Sequence, residues 1–260
     1  MNRFREKLNQ GRTAIGTHAQ LGSMPAMEML GVAGFDAVWI DTEHTAIDKQ
    51  DLLNCVIALH GYGTAAFVRI PWNDPVLAKP VLEMGVDGII FPYVRSADDV
   101  DKAMRSCIYP PHGCRGFGPI RANRYGTETN EEYLENYIDR TFRVAQIEHV
   151  DAVQCIDEIV KVPYLSGIVI GPNDLSGSLG LLGQTSHPDV QKCMDIVAAA
   201  ARNANLPFGV STGYSAGSGG KSLQQWVDRG ANYIFVGSDI SYIMDGACAT
   251  CREVGELVNQ

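Results

Sequence analysis

A chain of 260 residues, with 45% hydrophobic and 20% charged residues, is long enough to bury a full core and suits one closed α/β barrel. A formal net charge of −9 with no basic cluster argues against nucleic acid and anionic membrane surfaces as partners, and no apolar run approaches the roughly 18 residues of a spanning helix. The start, MNRFREKLNQ, lacks a signal-peptide apolar region, and seven scattered cysteines point to reduced thiols in a cytoplasmic protein.

In chain order, the first strand is expected at Thr13–Thr17, followed by a helix over Pro25–Val32. The second unit is FDAVWIDTEH (35–44), in which Val38, Trp39 and Ile40 form a buried-strand run ending in Asp41, Glu43 and His44. Asp48 offers an N-cap for a helix to His60. Ala65–Ile70 is the third strand, with a helix over Asp74–Met84 stopped by Gly85. Gly88–Phe91 is the fourth, with a helix over Ala97–Ser106.

A long connection rich in glycine and proline follows, YPPHGCRGFGPIRANRYG, of the kind that is functional or mobile in a compact domain. The amphipathic segment Glu131–Ile138 precedes strand five, Arg143–Ile147, whose helix is Val150–Val160. Strand six is Gly167–Ile170, then the loop GPNDLSGSLG and a helix over Pro188–Asn203. Strand seven, Phe208–Val210, leads into STGYSAGSGG and a helix over Ser222–Arg229; strand eight is Tyr233–Val236, with a last helix from about Gly246. Eight evenly spaced strand–helix units predict a single (β/α)8 barrel domain over 1–260, with the site at the carboxyl ends of the strands. An open doubly wound sheet is the alternative, but no G-x-G-x-x-G follows the first strand.

A barrel gathers Asp41, His44, Arg69, Gln146, Glu148, Asp174 and Ser211 on one face. Glu148 and Asp174 follow neighbouring strands, and two carboxylates so placed repel unless a cation lies between them. Each taken alone reads as a helix-terminal acid or cap; together they suit a hard divalent ion with open positions for substrate and water. Arg69 can fix a carboxylate or a developing oxyanion, or merely pair with Asp41 or Glu43. His44 is the only histidine at an expected strand end, suited to general-base work, metal ligation or a purely structural role. Glu83 is an acid in a last helical turn, where it opposes the dipole by about 0.3–1 kcal/mol. The C-x-x-C pair Cys248 and Cys251 has no supporting histidine or second pair to make it a metal site.

With these residues placed, the chain resembles the HpcH/HpaI family of metal-dependent (class II) pyruvate aldolases. AGFDAVWIDTEH, VRIPWNDP, YPPHGCRGFG, QIEHVDAVQCIDEI and IGPNDLSGSLG occur in the family's order. The resemblance implies a phosphoenolpyruvate/pyruvate-type (β/α)8 barrel, commonly a homohexamer, cleaving 4-hydroxy-2-oxo acids to pyruvate and an aldehyde. It implies Glu148 and Asp174 as ligands of Mg, Mn or Co, and Gln146 with the backbone at Asn173 and Asp174 as the pyruvate-binding set. Arg69 matches the enolate-stabilising residue and His44 the general base. Glu83 matches an acid, usually aspartate, that acts on that histidine across a subunit contact. Asn173 stands where a small residue is usual. A Schiff-base aldolase is disfavoured, because none of the lysines 7, 49, 79, 102, 161, 192 and 221 ends a strand. A phosphate-binding barrel using STGYSAGSGG and a non-catalytic 2-oxo acid-binding barrel are the other readings.

Overall fold

Eight parallel strands pair each with the next in chain order and the last with the first, closing a (β/α)8 barrel of the TIM type. The computed structural model describes residues 2–213 and 221–258, so 214–220 of the expected glycine/serine anion loop lie outside the described residues. The strands are β1 (Ala14–Ala19), β2 (Ala37–Asp41), β3 (Ala65–Arg69), β4 (Gly88–Phe91), β5 (Phe142–Ile147), β6 (Gly167–Ile170), β7 (Phe208–Thr212) and β8 (Tyr233–Ser238). Helices α1 (Arg3–Asn9), α2 (Met24–Val32), α3 (Lys49–His60), α4 (Pro75–Glu83), α5 (Ala97–Cys107) and α6 (Asn130–Arg140) serve the first half. The second half has α7 (Val150–Gln154), α8 (Ile156–Ile159), α9 (Pro172–Ser178), α10 (Pro188–Asn203), α11 (Lys221–Asp228) and α12 (Asp239–Val258).

Local chemistry accounts for most of these boundaries. Asp48 caps α3 by accepting from the Gln50 and Asp51 N–H groups, and Ser96 and Thr129 open α5 and α6 with complete capping boxes. Four expectations need correction. The segment Val150–Val160 is two short helices, because the backbone leaves helical geometry at Cys155 (φ −110°, ψ 22°). GPNDLSGSLG is not all loop: Pro172 begins α9, its fixed φ suiting a first helical turn. The last helix starts at Asp239 rather than near Gly246. Strand β1 runs past Thr17 to Ala19, because His18 pairs in register with Trp39 on one side and Ser238 on the other.

The strand period of two divides the apolar residues into two cores. Val38, Ile40, Ala66, Val68, Ile168 and Ile170 face outward and pack under the helices. Trp39, Phe67, Phe142, Val169, Tyr233 and Phe235 fill the barrel, and Phe4 of α1 closes its amino-terminal end. The Phe4 ring centre lies 4.7 Å from Phe67, 5.3 Å from Phe142 and 5.5 Å from Tyr233, edge to face. Glycine makes room for these rings: a Cβ on Gly88 would lie 2.2 Å from Phe67, and one on Gly209 2.1 Å from Tyr233. The inward rows then end in polar residues at the opposite mouth. His18 follows Gly16 on β1, Asp41 follows Trp39 on β2, Arg69 follows Phe67 on β3, Gln146 follows Val144 on β5 and Ser211 follows Gly209 on β7.

Candidate active site

Asp41 and Arg69 are register partners at the ends of β2 and β3, which makes their ion pair a consequence of strand pairing. Arg69 Nε donates to Asp41 Oδ1 at 3.0 Å and Nη2 donates to Oδ2 at 2.7 Å, a bidentate fork. The same guanidinium lies over the Trp39 ring, 5.3 Å from its centre. Its third nitrogen, Nη1, is 3.0 Å from Glu43 Oε2, although that oxygen makes no aligned hydrogen bond. Burial alone would raise the Asp41 pKa, but the hydrogen bonds and charge of Arg69 outweigh it and hold the carboxyl below its ordinary value. Arg69 thus pairs with both Asp41 and Glu43, and its side chain lines the mouth.

Glu148, just past β5, is 3% exposed. Its Oε1 accepts from the Tyr93 N–H at 2.7 Å, and its Oε2 accepts from the Gln146 amide. To make that contact Tyr93 adopts φ +54°, the left-handed region that a tyrosine rarely enters. Burial pushes the Glu148 carboxyl up to about 7; the charges of Asp174 and Glu43 add to the rise, against the Tyr93 N–H. The same neighbours act on Glu43, whose pKa is raised chiefly by burial and further by Asp41 and Asp174, against the pull of Arg69. Asp174 lies in the exposed first turn of α9, after β6, the strand paired with β5.

Asp41, Glu43 and Glu148 thus share one arginine, and Asp174 adds its charge to Glu43 and Glu148. Among the described residues no three His, Cys, Asp or Glu side chains converge to cage a metal, so the donor set is the two carboxylates Glu148 and Asp174. It is an oxygen set with open positions, the kind a hard divalent cation accepts. The buried Gln146 Oε1 atom has no hydrogen-bond partner. A Cβ on Gly171 would sit 3.0 Å from Glu148 Oε2 and 3.1 Å from Gln146 Nε2, so glycine is what keeps this cradle open. Raised carboxyl pKa, an orphaned amide oxygen and a cradle that a methyl group would crowd all fit a bound cation.

The expected site residues fall into two groups. Arg69, Gln146, Glu148 and Asp174 come together at the mouth, with Asn173 beside them. His44 is on the rim, its side chain 65% exposed and its Nε2 3.9 Å from Glu43 Oε2. Glu83 is elsewhere within the chain: its Oε1 accepts from Arg115 Nη2 at 2.9 Å, and its Oε2 is buried without a partner. No ion pair joins Glu83 to His44 among the described residues of one chain.

One mouth residue escapes the sequence reading. His18 stands inward near the end of β1, so His44 is not the only histidine at a strand end. Ending the strand at Thr17 hid it, although the inward alternation Ala14, Gly16, His18 contains the signal.

The sequence profile of the family described as HpcH/HpaI aldolase/citrate lyase matches residues 16–245. The chain is 34% identical over 240 residues to the 5-keto-4-deoxy-D-glucarate aldolase of Salmonella paratyphi A, covering 92% of this chain and 91% of that one. It is similar to the crystal structure of an HpcH/HpaI aldolase from Desulfitobacterium hafniense DCB-2 (TM-score 0.89, 30% identity, 97% and 96% of the two chains). A family protein from Burkholderia cenocepacia J2315 matches equally well (TM-score 0.89, 29% identity, 98% and 99% covered).

Proposed function

The chain belongs to the HpcH/HpaI aldolase/citrate lyase family and is a carbon–carbon lyase of the aldolase kind, and from that premise we propose the reaction and the residues that carry it. The substrate is a 4-hydroxy-2-oxo acid, cleaved reversibly between C3 and C4 to pyruvate and an aldehyde. The observation that carries this reading is the buried Glu148 carboxylate, pushed up to about 7 beside the orphaned Gln146 amide and the charge of Asp174.

The family is in general dependent on a divalent cation. Glu148 and Asp174 would hold that ion (Mg²⁺, Mn²⁺ or Co²⁺), which would supply Lewis-acid charge stabilisation to a bound 2-oxo acid. Gln146 and the backbone at Asn173 and Asp174 orient the pyruvate half. His44 accepts the proton of the C4 hydroxyl as the C3–C4 bond breaks and the aldehyde carbonyl forms. The electron pair passes to the pyruvate enolate, whose oxygen Arg69 faces with the N–H groups that Asp41 leaves free. Protonation at C3 then gives pyruvate. Asp41 fixes the guanidinium and has no step of its own.

Glu83 is assigned to the His44 of a neighbouring subunit, in a cytoplasmic homo-oligomer, by resemblance a hexamer, built from one barrel domain per chain. Association is supported by α12, which leaves Ile243 (55%), Met244 (53%) and Leu257 (72%) exposed. A groove of about 610 Å³ lies beside it, lined by Met29, Leu30, Phe35 and Leu223. Sedimentation velocity checks the assembly; a monomer at working concentration would remove the role given to Glu83. The mechanism is tested by dialysis against a chelator. Cleavage should vanish and return with added Mg²⁺, Mn²⁺ or Co²⁺, and full activity in the metal-free protein would sink it.

A further inference from the structure

Beside Arg69 the mouth continues into a cavity of about 300 Å³ lined from β1, β7, β8 and α9. Its chemistry is set by a buried imidazole. His18 Nδ1 lies 2.7 Å from the Gly237 carbonyl oxygen and Nε2 lies 2.9 Å from Ser211 Oγ. A carbonyl only accepts, so the Nδ1 atom carries the ring proton, and the Nε2 atom accepts from the Ser211 hydroxyl. Burial pushes the imidazole below its ordinary pKa, consistent with this neutral tautomer. The Ser211 proton is thereby committed, and its oxygen lone pairs remain as acceptors facing the cavity.

Three further lining groups, the Gln20 and Asn173 carboxamides and the Thr212 hydroxyl, make no side-chain hydrogen bond among the described residues. Among the described residues the only charged side chains lining the cavity are Asp41 and Arg69, and they are paired with each other. Those residues therefore offer several hydrogen-bonding groups and no unpaired cationic side chain.

We infer that this cavity receives the aldehyde half of the substrate, and that the His18–Ser211 pair makes the enzyme select an uncharged hydroxyaldehyde. The inference rests on the pyruvate reading, which puts the 2-oxo acid at Gln146, Glu148 and Asp174, none of which lines the cavity. An aldehyde hydroxyl donates to Ser211 Oγ and accepts from the free amides. A carboxylate at the same place would meet the Asp41 carboxylate and, among the described lining residues, no cationic side chain other than the Arg69 already paired with it. An alkyl aldehyde would leave the same polar groups without partners.

The experiment compares kcat/KM for addition of pyruvate to glyceraldehyde, propanal and succinic semialdehyde, with Mg²⁺ present. Exchange of pyruvate methyl protons into D₂O, followed by NMR on the wild-type protein, reads enolate formation with no aldehyde added. Glyceraldehyde should be preferred to both other aldehydes by about tenfold or more, the worth of one good hydrogen bond. Ser211→Ala should lower the glyceraldehyde-to-propanal ratio about tenfold, and Ser211→Thr, which keeps the hydroxyl, should hold it within about twofold. His18→Leu releases the Ser211 proton and should lower the ratio as well. Exchange accompanied by a preference for the semialdehyde, or by a ratio indifferent to Ser211→Ala, overturns the inference alone. No exchange at all overturns the pyruvate reading and the inference with it.

Discussion

The two ends of the barrel each hold a carboxylate, Glu148 buried and Asp87 half-buried, and the two are treated in opposite ways. At the amino-terminal end Asp87 accepts from Asn2 Nδ2 at 2.7 Å, His60 Nε2 at 2.8 Å and the Ala66 N–H at 2.9 Å. Arg121 Nη2 lies 3.0 Å from His60 Nδ1 and can only donate, so the other ring nitrogen carries the proton given to Asp87. Burial would raise the Asp87 pKa, but these partners outweigh it and hold the carboxyl below its ordinary value. At the carboxyl end Glu148 is raised to about 7, and Gln146 Oε1 and Glu43 Oε2 lack hydrogen-bond partners, the latter keeping only its ion pair with Arg69. A network complete within the chain ties the structure together, whereas one completed only by something added is a site.

Substitution at the two ends should separate activity from stability. Glu148→Gln or Asp174→Asn should cut kcat by about 10³-fold, comparable with losing an essential electrostatic contact. The thermal midpoint of the metal-free protein should not fall, because a repelled carboxylate has been neutralised. Asp87→Ala should do the reverse. Removing one side of a partly buried, fully bonded network leaves His60, Asn2 and the Ala66 N–H without an acceptor, at a cost of about 3 kcal/mol. That predicts a midpoint lower by about 6–12 °C, with kcat of the folded fraction within about twofold of the parent. Calorimetry and steady-state rates on the same preparations check both, and a Glu148 variant that unfolds early while keeping its rate would erase the contrast between the ends.

The sequence makes the barrel and its carboxylate pair legible for one reason: strand–helix alternation determines where strands end, and chemistry in such a fold collects there. Gly88–Phe91, Gly167–Ile170 and Pro188–Asn203 lie where apolar pattern and caps put them. Glu148 and Asp174 follow paired strands, as their spacing requires. What a single chain cannot display is a relation that pattern does not encode. The strained Tyr93 turn that feeds its N–H to Glu148 has no sequence signal, since tyrosine is a poor left-handed residue. Helix α9 is hidden by its serine and glycine content, and His18 by a strand boundary two residues short. Glu83 shows the remaining gap: within the chain it pairs with Arg115, and a role at another subunit's histidine belongs to the assembly.

The finest test of the contrast is pH, because the two carboxylates give opposite slopes. The Asp87 pKa is depressed in the folded state, so its stabilisation is present above the ordinary value of 3.8 and lost as pH falls through the lower folded value. Glu148 is raised from 4.5 to about 7, so the native state holds that proton more tightly than the unfolded chain does. Its contribution therefore favours folding at low pH, declines as pH rises from about 4.5 to about 7, and is flat above. The decline should amount to about 3 kcal/mol in the metal-free protein. Thermal midpoints across that range should show it, Glu148→Gln should lack it, and saturating Mg²⁺ should remove it by taking the place of the proton. Because cation and proton compete for one carboxylate, the apparent cation affinity should weaken below about pH 7, with close to one proton released per ion bound. A pH-independent cation affinity would mean that Glu148 is not the group that binds it, and the carboxyl end of the barrel would then need another account of its unpaired charge.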